Sequence, residues 1–394
     1  MKKILSFSAV LILGLIASQI LPSVFGANYE AFRTVTNTLL YICLSFIMIN
    51  VGREFELDKS KWRSYAGDYF IAMATAAMPW LLIALYYVLV LLPPDLWSNG
   101  EAWKENLLLS RFAAPTSAGI LFTMLAALKL SDTWMYRKIQ VLAIFDDLDT
   151  IILMIPLQIM MIGMRWQLFA IILIVIILLW LGWKKLDTYT MPQGWQYILF
   201  YAVVIFGLTH GIYLATTHLF GHDGGIHIEV LLPAFVWGMI LKTKHSESKH
   251  EHHAADTISV LFMFLVGLSM PLFVGLDSTT VANAESITAS QPMMSWGEIA
   301  LHVLAVSLLS NIGKLFPMLF YRDHKLVERL ALSIGMFTRG EVGAGVIFIA
   351  LGYNLGGPAL IISVLTLALN LVLTGIFVIW VKKLALKAYQ PAEG

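Results

Sequence analysis

Charge is what this sequence has least of. Asp, Glu, Lys and Arg make up 13% of its 394 residues, whereas a soluble chain of that size carries about 25%. Water-facing surface needs charge and lipid-facing surface excludes it, so the deficit rules out an ordinary soluble domain. Cysteine is nearly absent too, and the single Cys43 excludes an intrachain disulfide and a cysteine-built metal site. Also missing is the ~10-residue alternation of apolar and polar positions that marks a membrane barrel. A net charge of +1 argues nothing about nucleic acid, and no such partner is expected of a chain this apolar.

Apolar residues are what the chain has in abundance, at 59% with a mean hydropathy of +0.78. Runs of roughly 20 apolar residues recur along its length, each enough to cross a ~30 Å hydrocarbon core as a helix. Backbone groups cannot stay unpaired in lipid, so the fold class is an all-α membrane protein. Hydropathy divides the chain into about twelve transmembrane helices, at 4–25, 33–51, 66–92, 107–128, 137–163 and 166–183, then 195–220, 226–242, 256–276, 296–321, 326–352 and 357–381. The connections are short, so one membrane domain is expected throughout, in contact with lipid. Met1-Lys2-Lys3 before an apolar run to Phe25 has the outline of a signal peptide. That run is longer than a signal core, which favours a retained first span.

Basic residues test the division, because they gather on the cytoplasmic side. With the N-terminus in the cytoplasm, 20 of the 26 Lys and Arg fall in cytoplasmic segments. Arg33, Lys104, Arg111 and Arg165 fall at the outer side and its borders, and Lys314 and Arg339 lie within spans. Both termini are therefore expected in the cytoplasm, in a multi-pass inner-membrane protein.

An ionisable residue deep in a span costs about 2.5–3.5 kcal/mol even on lenient scales, which makes each one a functional candidate. The set is small: Asp146, Asp147 and Asp149 in span five, Lys314 in span ten, Arg339 and Glu341 in span eleven. At 1.5 Å per residue, Asp146 lies ~13 Å and Lys314 ~12 Å from the cytoplasmic edge. Matched depth lets Asp146 or Asp147 pair with Lys314. Adjacent residues diverge by about 100° around a helix, so both aspartates cannot face one partner. One carboxylate pairs and the other faces an aqueous cavity, an arrangement suited to carrying a proton or a cation. The bland alternative is a buried ion pair that merely links helices, but such pairs contribute little stability and need only one aspartate.

Two spans read as broken. Span four contains Arg111-Phe112-Ala113-Ala114-Pro115-Thr116-Ser117-Ala118-Gly119, where Pro115 removes a backbone donor and clashes with the turn before it. Span eleven contains Thr338-Arg339-Gly340-Glu341-Val342-Gly343-Ala344-Gly345. Interrupted segments at corresponding places in two halves point to an inverted-repeat transporter, here spans three to five and ten to twelve. Proline kinks with glycine packing are the plain alternative.

Asp146-Asp147, Ala114–Gly119, Asn311-Ile312-Gly313-Lys314 and Arg339-Gly340-Glu341-Val342, taken together and in order, resemble the bacterial cation:proton antiporter superfamily, in particular its electrogenic double-aspartate branch of Na+/H+ antiporters. The resemblance implies inverted repeats with two crossing broken helices. It also implies a transport core over 66–163 and 296–381, a dimerisation scaffold over 4–51 and 195–276 with a linker helix at 166–183, and a homodimer. Asp147 would carry the cation and the proton, Asp146 would salt-bridge Lys314, and Asp147, Asp146 and Thr116 would hold Na+. Thr116, Ser117, Arg339, Glu341 and Asp149 would support the site and the broken helices. No cofactor is implied beyond the transported small cations, Na+ or Li+, and H+, with two protons per sodium and a role in pH homeostasis. Thr338, where the family often has proline, and Asp149 and Thr150, where small or apolar residues are usual, are departures.

Other readings remain open at this point: a K+/H+ antiporter, a sodium-coupled solute symporter, or an intramembrane enzyme. The last would use the aspartates as an acid/base dyad, with His245, His250, His252 and His253 of the polar 242–255 loop as a metal site.

Overall fold

Lipid leaves helix as the economical way to satisfy the backbone, and a computed structural model is helical accordingly. It describes residues 2–54, 62–126, 133–162, 166–186, 188–220, 226, 228, 230–241, 249–270, 286–288, 291, 294–353 and 355–389. Among these the only β pairing is an isolated bridge between Tyr189 and Leu241. The helices are α1 Lys2–Phe25, α2 Tyr29–Glu54, α3 Trp62–Tyr86, α4 Gly100–Ser110, α5 Ala118–Ala126, α6 Trp134–Ile162 and α7 Trp166–Lys184. There follow α8 Trp195–Phe220, α9 Leu231–Ile240, α10 Lys249–Leu268, α11 Trp296–Gly313, α12 Leu326–Gly335, α13 Glu341–Gly352 and α14 Gly357–Tyr389. Seven described stretches are long and apolar enough to cross a membrane by themselves. α6 is not one of them, because three aspartates interrupt its middle.

Several boundaries differ from the hydropathy reading for identifiable reasons. Span ten is not one helix to 321: α11 stops at Gly313, Lys314 forms its C-cap, and a 3-10 turn follows over Phe316–Leu319. Pro317 cannot continue the helix, yet its neighbours are apolar, so hydropathy runs on past the true end. The polar 242–255 segment is not all loop, since α10 begins at Lys249. Residues 242–248, with His245, lie outside the described residues, as do the side chains of His250 and His252. Among the described residues no cluster of three metal-ligating side chains occurs.

By their contacts the residues fall into two units. The larger comprises 1–24, 61–161 and 266–394, and the smaller 25–60 and 162–265. α2, α7, α8, α9 and most of α10 fall in the smaller unit, and α1 falls in the larger. Within the smaller unit α2 and α9 cross at Gly52 and Gly238, where a side chain on either would strike backbone of the other helix. Small residues at such crossings let membrane helices gain dispersion contacts without a hydrophobic driving force.

Among the described residues every buried Asp, Glu, Lys and Arg lies in the larger unit. α11 and α3 meet so closely that a methyl on Gly313 would lie 2.5 Å from the Pro79 nitrogen. Backbone cannot yield as a side-chain end does. Gly313→Ala is therefore expected to force the helices apart at a cost of about 1–3 kcal/mol, read as a lowered Tm of the purified protein. At the N-terminal ends of α3 and α6, Asp68 accepts from Lys138 Nζ at 2.8 Å and from Tyr321 Oη at 2.7 Å. Burial and that carboxylate hold the Tyr321 phenol well above its ordinary pKa, so it acts there as a donor. These bonds fix the start of the helix that bears the aspartates.

Candidate functional site

Span four is broken where Pro115 dictates. α4 ends at Ser110, a 3-10 turn covers Arg111–Ala113, residues 115–117 have no regular secondary structure, and α5 starts at Ala118. Span eleven breaks likewise between Gly335 and Glu341, with residues 338–340 in no regular secondary structure. The two irregular pieces are hydrogen-bonded to each other. Ser117 N donates to Thr338 O at 3.1 Å, Thr116 Oγ1 donates to Met336 O at 3.1 Å, and Thr338 Oγ1 reaches Ser117 O at 3.5 Å. The Ser117 amide and the Met336, Thr338 and Ser117 carbonyls thus find partners across the junction, which is how irregular backbone is tolerated at membrane depth. Thr338 carries this junction with its carbonyl, a role that does not depend on its being threonine rather than proline.

Asp146 closes the junction from α6. Its Oδ2 accepts from Thr116 N at 2.6 Å, and Lys314 Nζ donates to Oδ1 at 2.9 Å and to Oδ2 at 3.0 Å. The third ammonium proton goes to Thr116 Oγ1 at 3.0 Å. All three residues are fully buried. Matched depth had left open which aspartate meets the lysine, and the geometry selects Asp146. Lys314 also caps α11, so its charge sits at the negative end of that helix dipole. A charge-assisted, fully paired arrangement of this kind is how a buried ion pair becomes tolerable.

Asp147 follows on the same helix, turned away by about 100°. It is buried as well, with 6% of its surface open and both carboxylate oxygens shut off from solvent. Asp149 is buried beside Tyr69, and its carbonyl accepts from Arg111 Nη2 at 3.1 Å. Thr150 Oγ1 donates back to Asp146 O at 2.9 Å, a local helix bond. Arg339 is fully buried and donates to Met336 O at 3.0 Å, Thr338 O at 3.3 Å and Ser310 Oγ at 2.9 Å, bracing the second break against α11. Glu341 opens α13, and its side chain lies outside the described residues.

One residue was misplaced by the sequence reading. Arg111, assigned there to the outer border, is fully buried against Trp80, 4.8 Å from its ring centroid, and contacts α6. The span was taken to begin at 107, whereas α4 begins at Gly100, which sets Arg111 about 10 Å deeper. Its position directly before the Pro115 break was the available signal.

No family model matches the chain, and no curated protein does. Among solved structures, the sodium proton antiporter MjNhaP1 from Methanocaldococcus jannaschii superposes over 97% of this chain and 92% of its own, with a TM-score of 0.60 and 14% identity. The fold is that of a sodium proton antiporter. In that antiporter fold the larger unit holds both broken spans and the Asp146–Lys314 pair between them.

Proposed function

We propose that this chain is a secondary active antiporter that exchanges Na+ or Li+ for H+ by alternating access, as a multi-pass protein of the bacterial inner membrane with both termini cytoplasmic, working as a homodimer. The observation that supports this best is the Asp146–Lys314–Thr116 knot at the crossing of two broken helices. A structural ion pair has no need of opened backbone on both sides, whereas a cation leaving water needs oxygens and helix ends to replace its hydration shell. Asp147 is the carrier: deprotonated it takes the cation, and protonation releases it. Asp146 joins the cation only if Lys314 lets go, because both its oxygens are occupied. When Lys314 lets go it can surrender a proton, which together with the proton of Asp147 makes two protons per cation and an electrogenic cycle.

The test is reconstitution of the purified chain into liposomes with a pH dye inside. Imposed Na+ and Li+ gradients are expected to drive proton movement, more strongly than K+, and to respond to membrane potential. A chain that moves protons equally with every cation, or with none, overturns the proposal.

A further inference from the structure

Lys314 spends its ammonium donors at the crossing, on both oxygens of Asp146 and on Thr116 Oγ1. The exchange cycle requires it to let go, and an amine keeps N–H donors whether charged or neutral. In a water-poor interior those donors need an acceptor. The protein must therefore hold a second place for the Lys314 head group. Asn311 lies one turn back on the same face of α11, a spacing at which Cβ atoms are about 5–6 Å apart. Long side chains of a helix lean toward its N-terminus, which is the direction of Asn311.

Asn311 offers an unspent acceptor there. Its Nδ2 donates to Asn370 Oδ1 on α14 at 3.0 Å, while its buried Oδ1 has no hydrogen-bond partner among the described residues. Ser310, the next residue round α11, is already taken by Arg339 Nη2 at 2.9 Å. Thr366 adds a second acceptor from across the interface. At 100° per residue Ser363, Thr366, Asn370 and Thr374 share one face of α14, an arc of about 80°, and the Asn370 bond turns that face to α11. Ser363 Oγ, Asn370 Nδ2 and Thr374 Oγ1 each donate to the carbonyl four residues back. Thr366 Oγ1 does not: it is fully buried and has no hydrogen-bond partner among the described residues. Buried polar atoms are ordinarily paired. Two unpaired oxygens on facing sides of one helix interface, beside a lysine that has to move, are the exception that its movement explains.

We propose that Asn311 Oδ1 and Thr366 Oγ1 form the second docking position of the Lys314 head group, occupied while a cation holds Asp146. This rests on the reading of the chain as a cation:proton exchanger. Asn311 and Thr366 are then positioning residues. Neither touches the cation, and together they set how readily it displaces the lysine.

The experiment compares full-length wild type with Asn311→Leu, Asn311→Asp, Thr366→Val and Thr366→Ser in proteoliposomes, with Na+ as the probe and thermal melts alongside. Asn311→Leu removes an acceptor for the displaced lysine and is expected to raise the apparent KM for Na+ about tenfold, the order of a hydrogen bond to a charged group. Thr366→Val is expected to raise it about threefold without lowering Tm, since an unpaired buried hydroxyl stabilises nothing. Thr366→Ser, which keeps the hydroxyl, is expected to recover the affinity. Asn311→Asp draws the lysine with a full charge and is expected to bring the KM below that of wild type. Opposite shifts at one position would not follow from a merely structural asparagine, because both variants lose the same bond to Asn370. Folded Asn311→Leu and Thr366→Val with wild-type KM overturn the proposal, and so does a folded Asn311→Asp that raises it. Should the Asn311 variants fail to fold, Thr366→Val decides alone, with a raised KM in favour and a wild-type KM against. If wild type exchanges no cation at all, the exchange reading itself falls and this proposal with it; if wild type exchanges and the variants match it, only this proposal falls.

Discussion

Asp147→Asn is expected to reduce Na+-driven proton flux to that of empty vesicles while leaving the protein folded. Asparagine matches aspartate in shape, so packing is preserved and stability should shift by less than about 1.5 kcal/mol. What disappears is the one function an amide cannot supply, alternation between a negative and a neutral state. Asp146 cannot stand in, since Lys314 and the Thr116 amide occupy both of its oxygens. Flux measured beside a thermal melt separates the two effects. Robust sodium-driven proton movement by folded Asp147→Asn would remove Asp147 from the carrier role.

The second large effect concerns stability. Asp146→Ala leaves the Lys314 ammonium fully buried with no counter-charge, and stranding one member of a buried pair costs about 3–5 kcal/mol. The Thr116 amide loses its acceptor as well, adding about 1–3 kcal/mol. A native protein has a margin of only about 5–15 kcal/mol, so Asp146→Ala is expected to be poorly recovered after purification. Adding Lys314→Met to it removes the stranded charge and should restore most of the melting temperature without restoring exchange. Lys314→Gln alone keeps a donor for Asp146 but cannot release a proton. Exchange by that variant should run at one proton per cation and lose its response to membrane potential. If Asp146→Ala melts like wild type, the knot at the crossing is not what holds it together.

How far the sequence discloses this site depends on the kind of residue. Asp146 and Lys314 were readable because charge is rare here and a helix is a rigid rod, so depth can be counted from either end. Pro115 and the glycines around Arg339 announced the breaks by chemistry that works one residue at a time. Arg111 was missed because its depth depends on where α4 begins, and the start at Gly100 is set by Asn99 accepting from the amides of Glu101 and Ala102, a polar cap that hydropathy does not register. The end of α11 at Gly313 was missed for the opposite reason, since the turn after it is as apolar as the helix. Which of the pair Lys314 chooses, and which helices α1 packs with, are questions of rotation and neighbourhood that a one-dimensional profile does not contain.

The junction of the two broken spans also has a history in time. Ser117 and Thr338 stand 221 residues apart, and ribosomes add roughly 5–20 residues per second. The first broken helix therefore enters the bilayer about 10–40 s before the segment that will satisfy its exposed amides and carbonyls exists. Through that interval the Thr116 amide can turn to Asp146, thirty residues on, while the Thr338 carbonyl that will accept from Ser117 has yet to be made. A device that looks symmetrical once finished is made asymmetrically, with the first half waiting for the second, and the carboxylate at its centre is the earliest group able to hold it open.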